Sequence, residues 1–477
     1  MSKTSWKAQL REIVGMDYLL DSPAALLAYE SDALTLFRCK PAAVLLPADT
    51  AEVAKCVAVL HAAKIPFAAR GAGTGLSGGA LVAEGGVVIA MTRMKRIHAI
   101  DAEQRIAIVD PGVVNLDLSR AAEKFGLRYA PDPASQSVST LGGNMAENAG
   151  GPMCFLHGTT ANHVLAVDVV LPDGRRETWG DVQNQAQDLD LRGFLCGSEG
   201  TVAIAVRLYL KLVPVPEKVV TLMAAFHSIG EACSAVSAIV AAGLRPVALE
   251  VMDQATIQAV ENSVYRTGLP TDAGAVLVIE VEGPSATVEH DLPQIEALLA
   301  GFELLRLERA ETPEQRLAVW KGRKGAGGAL GRLAPDSYVM DGVVPRSKLT
   351  EIMEYVAEVQ VESGLPVANL FHAGDGNIHP HFSYDGRDPK QAAAVEKAGA
   401  KILRRCLKLG GSISGEHGIG LEKQHLLAEQ FGANEIALME RLRRVFNPED
   451  LMNPGRGLPM GKGCAEAFHR HGRIQSG

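Results

Sequence analysis

An α+β protein of more than one domain is the fold class this sequence predicts, on three observations. Strand-like and helix-like runs alternate through 41–216, broken by glycine-rich loops rather than by regular βαβ spacing. Pro214 and Pro216 then close that stretch, and a strand–helix–helix–strand run opens at Val219. The length of 477 residues allows roughly three domains at about 150 each. With 47% hydrophobic and 21% charged residues the chain can bury a large core, which excludes wholesale disorder. A net charge of −8 and no basic stripe leave no electrostatic footprint for nucleic acid.

Taken in order, 1–40 reads as a helical segment and Ala42–Leu46 as an apolar strand. Asp49-Thr50-Ala51-Glu52 has the cap-and-glutamate spacing of a helix start. Val53, Cys56, Val57 and Leu60 then fall on one helical face. Ile65–Ala69, Val87–Met91 and Ile106–Val109 read as strands, and Asn115–Phe125 as a helix. Beyond the prolines, 217–425 forms a second segment. In it Leu349, Ile352, Met353 and Val356 share a helix face, and Val367–Phe371 is an apolar strand. A helix over Pro389–Leu409 stops at Gly410-Gly411. A C-terminal segment, 426–460, carries a helix from Ala433 to Val445, and 461–477 reads as an unstructured tail.

The cysteines at 39, 56, 154, 196, 233, 406 and 464 form no CxxC pair, so neither a disulfide framework nor a zinc knuckle is expected, and a reduced cytoplasmic setting fits. Met1–Lys7 lacks the apolar core of a signal peptide. Val219–Leu244, the most apolar stretch, is interrupted by His227, Ser228, Glu231 and Ser234, so no membrane span is expected. Any membrane association would be peripheral, through a partner.

Glycine is abundant, 49 of 477, and clustered. Gly73-Thr74-Gly75-Leu76-Ser77-Gly78 matches GxGxxG, but it follows the second strand. Ala80–Met91 behind it holds Gly85-Gly86 rather than an amphipathic helix, so the dinucleotide fold of that name is rejected. The physics of small residues remains: backbone N–H groups can curl into an anion-binding nest. Two further small-residue stretches, Ser139–Ala146 and Gly197–Thr201, make a flexible surface loop the weaker reading. Three such loops suit an extended cofactor with two phosphates.

The second half concentrates imidazoles. His372 and His379 flank Ala373-Gly374-Asp375-Gly376-Asn377-Ile378, and in one continuous strand they would face opposite ways. A Gly-Asp-Gly turn reverses the chain and lets the rings converge. His381 would share the face of His379 if that stretch is extended. Gly415-Glu416-His417-Gly418 adds a carboxylate and an imidazole. A lone histidine is best read as a hydrogen-bonded structural residue. Several within two glycine-rich turns fit an open site for Zn²⁺, Mn²⁺ or Fe²⁺ better.

The set Arg70-Gly-Ala-Gly-Thr-Gly, Leu141-Gly-Gly-Asn, Gly158-Thr-Thr and Gly197-Ser-Glu-Gly-Thr resembles the vanillyl-alcohol-oxidase-type flavoproteins. Within them it is similar to the FAD-linked 2-hydroxyacid dehydrogenases, a family that takes in the flavin subunits of glycolate oxidase and the D-lactate and D-2-hydroxyglutarate dehydrogenases. The likeness spans about 40–457. It implies an FAD-binding (PCMH-type) domain of two α+β subdomains over 41–216. A ferredoxin-like α+β substrate domain with the metal site would cover 217–425, and 426–460 would return to the flavin.

By the same resemblance, Gly71, Gly73, Thr74, Gly75, Leu76 and Ser77 would hold the pyrophosphate. Ser135, Ser139, Gly142, Asn144 and Asn148 would line the isoalloxazine and ribityl, and Arg70, Pro131, Gly158 and Gly200 would also contact the cofactor. Glu199 and Val202 would meet the adenine half, and Asn453, in Asn453-Pro-Gly-Arg, would close beside the ring. Some relatives tether flavin through a histidine in the first glycine loop. None stands among Arg70–Ala80, which implies non-covalent FAD. Ala203 replaces a glycine frequent in relatives.

His372, His379 and Glu416 would bind the divalent metal and His417 would act as base. Arg323, on charge alone as readily a solvated cation, matches the arginine that takes the substrate carboxylate. The implied reaction oxidises a small 2-hydroxy acid, glycolate or D-lactate. The metal acidifies the hydroxyl, His417 removes its proton, and the α-hydrogen passes to flavin as hydride. Glutarate-specific relatives have a cation for the distal carboxylate where Ser337–Gly342 offers Asp341, which favours a small substrate. With no cluster-ligating cysteine pattern, electrons would pass to a second flavoprotein-like subunit and an iron–sulfur subunit. The alternatives are a stand-alone D-lactate or D-2-hydroxyglutarate dehydrogenase reducing a quinone or cytochrome, and a metal-binding assembly protein on a relic flavin fold.

Overall fold

The structure, a computed structural model, describes residues 5–183, 189–310 and 312–459. The 461–477 tail and Cys464 lie outside the described residues. Two units result. Of the described residues, the first gathers those up to Gly150, from Thr159 to Val215 and from 416 to 459, and the second gathers those of Gly151–Gly158 and Pro216–Gly415. Gly151–Gly158 thus groups apart from the 41–216 segment around it. The return to the first unit comes at Glu416, ahead of the 426 boundary expected from sequence.

In the first unit, the Asp49 carboxylate accepts the Glu52 amide at 2.9 Å and starts the helix Thr50–Ala62. The Glu52 carboxylate reaches back to the Ala48 amide, one residue beyond the reciprocal cap that the spacing suggests. Val53, Cys56, Val57 and Leu60 are all buried by this helix, against a sheet of four strands ordered Leu19–Leu20, Ala43–Leu45, Val87–Ala90, Phe67–Arg70. The last three are parallel. The expected Ile65–Ala69 strand begins only at Phe67. The Ile65 amide still closes the preceding helix on the Leu60 carbonyl, and Pro66 has no N–H to give a ladder. Met452 adds a parallel bridge to Phe67, so the returning chain extends this sheet.

A second sheet of five antiparallel strands runs Ile97–Asp101, Ile106–Val109, Ile204–Lys211, Val164–Val170, Arg176–Gly180. Its core includes Val167, Val169, Leu208 and Leu210, packed with Leu118 and Ala122 of the helix Asn115–Glu123. Pairing in the Ile204–Lys211 strand slips after Ala205 and after Tyr209, the local irregularity that bends a sheet.

The second unit is built on Lys218–Phe226, Ala248–Asp253, Ala275–Gly283 and Leu304–Ala310, which stand in the order fourth, first, third, second and are antiparallel throughout. Helices Ile229–Ala241 and Ser285–Leu299 make the crossovers, the ferredoxin-like arrangement. Val367–His372, Asn377–Ile378 and Gly342–Val343 extend the sheet beyond Ala248–Asp253. The strand–helix–helix–strand expectation therefore missed the strand Ala248–Asp253. Its Ala, Leu, Glu and Met favour helices in isolation, and pairing on both sides overrides that preference.

Candidate active site

In the first unit, the glycine loop leaves the end of the Phe67–Arg70 strand and no helix follows it before the strand Val87–Ala90. The loop borders a cavity of about 240 Å³. Of the residues expected at a cofactor, Arg70, Gly71, Gly73, Thr74, Gly75, Leu76, Ser135, Ser139, Gly142, Asn144, Glu199 and Gly200 line it. Glu416 and His417 line the same cavity. A Cβ at Gly71 would collide with the Thr140 hydroxyl, and one at Gly142 would lie 2.6 Å from Pro111 Cβ. A Cβ at Gly75 would meet nothing within 4 Å, so this wall opens onto free space.

Polar side-chain atoms wait along these walls. Arg70 Nη1, Ser139 Oγ, Thr140 Oγ1, Asn144 Nδ2 and Ser198 Oγ are buried with no hydrogen-bond partner. Orphaned buried polar atoms are costly and rare. Five around one cavity, most of them donors, fit a ligand rich in phosphate, hydroxyl and carbonyl oxygens, as FAD is.

Other residues expected at the cofactor do not line this cavity. Ser77 is fully buried and its hydroxyl donates to Glu147 at 3.1 Å. The Pro131 carbonyl accepts from Asn115 at 3.0 Å. Asn148, left-handed at φ 54°, caps the helix Leu141–Glu147 and accepts the Ala161 amide. Val202 packs into the hydrophobic core, while its neighbour Ala203 reaches the cavity. Asn453 Nδ2 donates to the Gly79 carbonyl at 2.9 Å and to the Glu199 carbonyl at 2.7 Å. Gly158, at φ 78°, ends a short helix of the second unit. Among these, Ser77 and Asn453 brace the loops that form the cavity.

Electrostatics there are unusual. Burial raises the Glu147 carboxyl well above the carboxylate range, reinforced by the neighbouring Glu199. Glu199 is also raised by burial, opposed by the Gly420 and Ile419 amides and by Arg456 and Lys423. Glu147 has only the Ser77 hydroxyl to counter burial, so its carboxyl is the more strongly raised of the two.

The second unit carries the histidines. Val367–His372 reverses through Ala373–Gly376, with Gly376 at φ 81°, into Asn377–Ile378. The reversal brings the His372 and His379 rings to 5.1 Å, edge to face at 82°. Glu250 is the cross-strand partner of His372, and its oxygens lie 2.8 and 3.0 Å from His372 Nδ1. The Arg323 guanidinium pairs with the same carboxylate. Burial alone would raise Glu250, yet Arg323 and His372 hold it below the ordinary carboxylate range. Arg323 is itself buried, so a solvated surface charge is ruled out, and its Nε has no partner. His379 Nε2 lies 3.5 Å from Asp341, which also accepts the Ser414 hydroxyl and the Gly415 amide. His381 sits within the strand Pro380–Tyr384, opposite Val339 and Ala368.

Two imidazoles, one steered by a carboxylate on its other nitrogen, are a donor pair suited to a borderline divalent ion. Glu250 escaped the sequence reading because its strand did. A glutamate inside an apolar run, Ala248-Leu-Glu-Val-Met, was the available signal. Among the described residues no helix is long and apolar enough to cross a membrane.

Comparison with known proteins agrees with this geometry. Residues 41–180 match the FAD binding domain family and residues 215–456 the C-terminal domain of FAD linked oxidases. The chain is 40% identical to glycolate oxidase subunit GlcD of Escherichia coli K12 over 473 residues, 99% of this chain and 95% of that one. It is 38% identical to the Bacillus subtilis subunit of that name (94% and 96%) and 32% identical to a D-lactate dehydrogenase of Anaerostipes hadrus (90% and 92%). Among solved structures, p-cresol methylhydroxylase with bound substrate superposes with a TM-score of 0.78 over 95% of this chain and 96% of that one, at 15% identity. That likeness speaks for a shared PCMH-type fold alone. With its cofactor loops, both family matches and near full-length relatives in agreement, the chain belongs to the FAD-linked oxidases.

Proposed function

We propose that this flavoenzyme oxidises a small 2-hydroxy acid, glycolate or D-lactate, to the 2-oxo acid. The observation that carries the reading is that His417 and Glu416 line the same cavity as the cofactor loops. FAD, when bound, supplies the two-electron acceptor, and a divalent ion, when bound, supplies a Lewis acid at the hydroxyl. Arg70, the glycine loop, Ser139, Asn144 and Ser198 hold the cofactor. The tether is non-covalent, since Arg70–Ala80 contains neither histidine nor cysteine. His372, His379 and Glu416 hold the ion, supported by the paired rings, by the Glu250 carboxylate on His372 and by the covalent adjacency of Glu416 to Gly415, itself bonded to Asp341. His417 takes the hydroxyl proton at a ring nitrogen, for which an imidazole is matched near neutral pH. Arg323, with its unpartnered Nε, receives the substrate carboxylate.

Electrons leave to a partner subunit, in keeping with the relatives named as subunits. A second reading, a stand-alone D-lactate dehydrogenase, is favoured by the Anaerostipes relative. Anaerobic stopped-flow reduction of the bound flavin by glycolate, D-lactate, L-lactate and D-2-hydroxyglutarate, with metal analysis on the same sample, tests both. His417→Ala should keep its flavin and reduce it about 10²–10⁴-fold more slowly. Wild-type reduction in that variant removes His417 from the chemistry, and a preparation that no 2-hydroxy acid bleaches refutes the function.

A further inference from the structure

Two glutamates in the first unit, Glu147 and the buried Glu199, take no part in that chemistry. Glu199 lies at φ 53° beside Gly197 and Gly200, a left-handed conformation uncommon for any residue but glycine. Its carboxylate accepts the Ile419 amide at 2.7 Å and the Gly420 amide at 2.9 Å from each oxygen. A Cβ at Gly418, φ 89°, would lie 2.9 Å from the Glu199 carboxylate and 3.1 Å from that of Glu147. Gly420, φ 51°, has no room for a side chain against the Ser77 carbonyl, to which the Leu421 amide donates at 2.8 Å. The Gly418–Leu421 stretch therefore satisfies its backbone on the cofactor-binding loops and not within an element of its own. Glu416 and His417 stand just before it and face the same cavity as Ser198–Gly200.

We infer that Glu199 is a positioning residue. Its carboxylate fastens the segment carrying Glu416 and His417 to the loop that receives FAD, so that cofactor seating and placement of the proton acceptor are coupled. The family resemblance implied that Glu199 meets the adenine half, but both of its oxygens are spent on backbone amides. A glutamine would have one acceptor oxygen for those amides and would turn its own NH₂ toward the other. The catalytic consequence rests on the reading of His417 given above, whereas the fastening does not.

Hydrogen exchange by mass spectrometry on the FAD-loaded full chain, following peptides over 416–423, tests it. Glu199→Ala should keep its FAD, judged by absorbance, while exchange in that peptide rises about ten- to a hundred-fold, the loss expected for hydrogen bonds to a charged group. Glu199→Gln should show a smaller rise, and stripping FAD from the wild type should raise exchange in the same peptide. Substrate-dependent flavin reduction in Glu199→Ala should slow through kcat more than through KM. Loss of FAD with unchanged exchange in the reconstituted variant would return Glu199 to a cofactor contact and overturn the proposal. Should Glu199→Ala fail to fold, unchanged exchange in Glu199→Gln would overturn it equally. Raised exchange in Glu199→Ala alongside normal reduction in His417→Ala would uphold the fastening and reject only the base assignment.

Discussion

Replacing Glu250 by glutamine keeps its shape and removes its charge, leaving the buried Arg323 guanidinium without a counter-ion. Both side chains are almost inaccessible to water, at 6% and 1% exposure, so solvent cannot compensate. Breaking a buried charge pair from one side costs about 3–5 kcal/mol. For a cooperative unit of about 150–250 residues, each kcal/mol moves the midpoint roughly 2–4 °C, so the second unit should melt roughly 6–20 °C lower. Thermal and urea unfolding of the FAD-loaded chain at neutral pH, followed by circular dichroism, measures it. The sign with pH follows from a carboxylate held below its ordinary value. The stabilisation is present above the unfolded value near 4.3 and disappears as pH falls through the lower folded value, so wild-type and variant curves should converge in acid. Adding Arg323→Met should recover more than half of the loss, because the stranded cation is gone. A midpoint shift under about 2 °C, or a double variant as unstable as the single, would refute the assignment of Glu250 as the counter-ion.

Asp32 is a buried acid whose pKa rises to about 6, chiefly by burial, against the Leu34 amide and Arg70. A raised folded value means that the native state binds the proton more tightly, so this group lowers stability as pH climbs from about 4 to about 6. Asp32→Asn should flatten that slope and stabilise the chain at neutral pH by up to about 3 kcal/mol, and parallel urea midpoints against pH in the two proteins would refute it. Gly420→Ala sets a Cβ against the Ser77 carbonyl at a left-handed φ. It should cost about 1–3 kcal/mol and weaken FAD retention on ultrafiltration, so wild-type retention would count against the close approach.

Where local chemistry and tertiary context agree, the sequence was readable. The Thr50–Ala62 helix announced itself through Asp49 and a stripe of four apolar residues, all buried. The Gly-Asp-Gly reversal between His372 and His379 was legible because only a turn lets those rings meet. Ala248–Asp253 was not, since its residues favour helix and its two neighbours are remote in the chain. The glycine loop announced a cofactor, but which residues face it and which brace it depends on packing: Ser77 and Asn453 turned inward to Glu147 and Gly79. Glu199 sits inside the Gly197–Thr201 stretch, and Glu147 directly follows the Ser139–Ala146 stretch. Their partners, Ser77 and the 419–420 amides, are too far off in the chain for spacing to reveal.

The returning chain has a bearing on how the molecule is made. Met452 bridges Phe67, and Asn453 and Arg456 bond the carbonyls of Gly79, Gly78 and Leu81, after the whole Pro216–Gly415 unit has intervened. During synthesis one edge of the first unit's sheet stays bare until the intervening residues have been made. Completion of the loops that border the cofactor cavity thus comes late in biogenesis, once residues as distant as Asn453 have been translated.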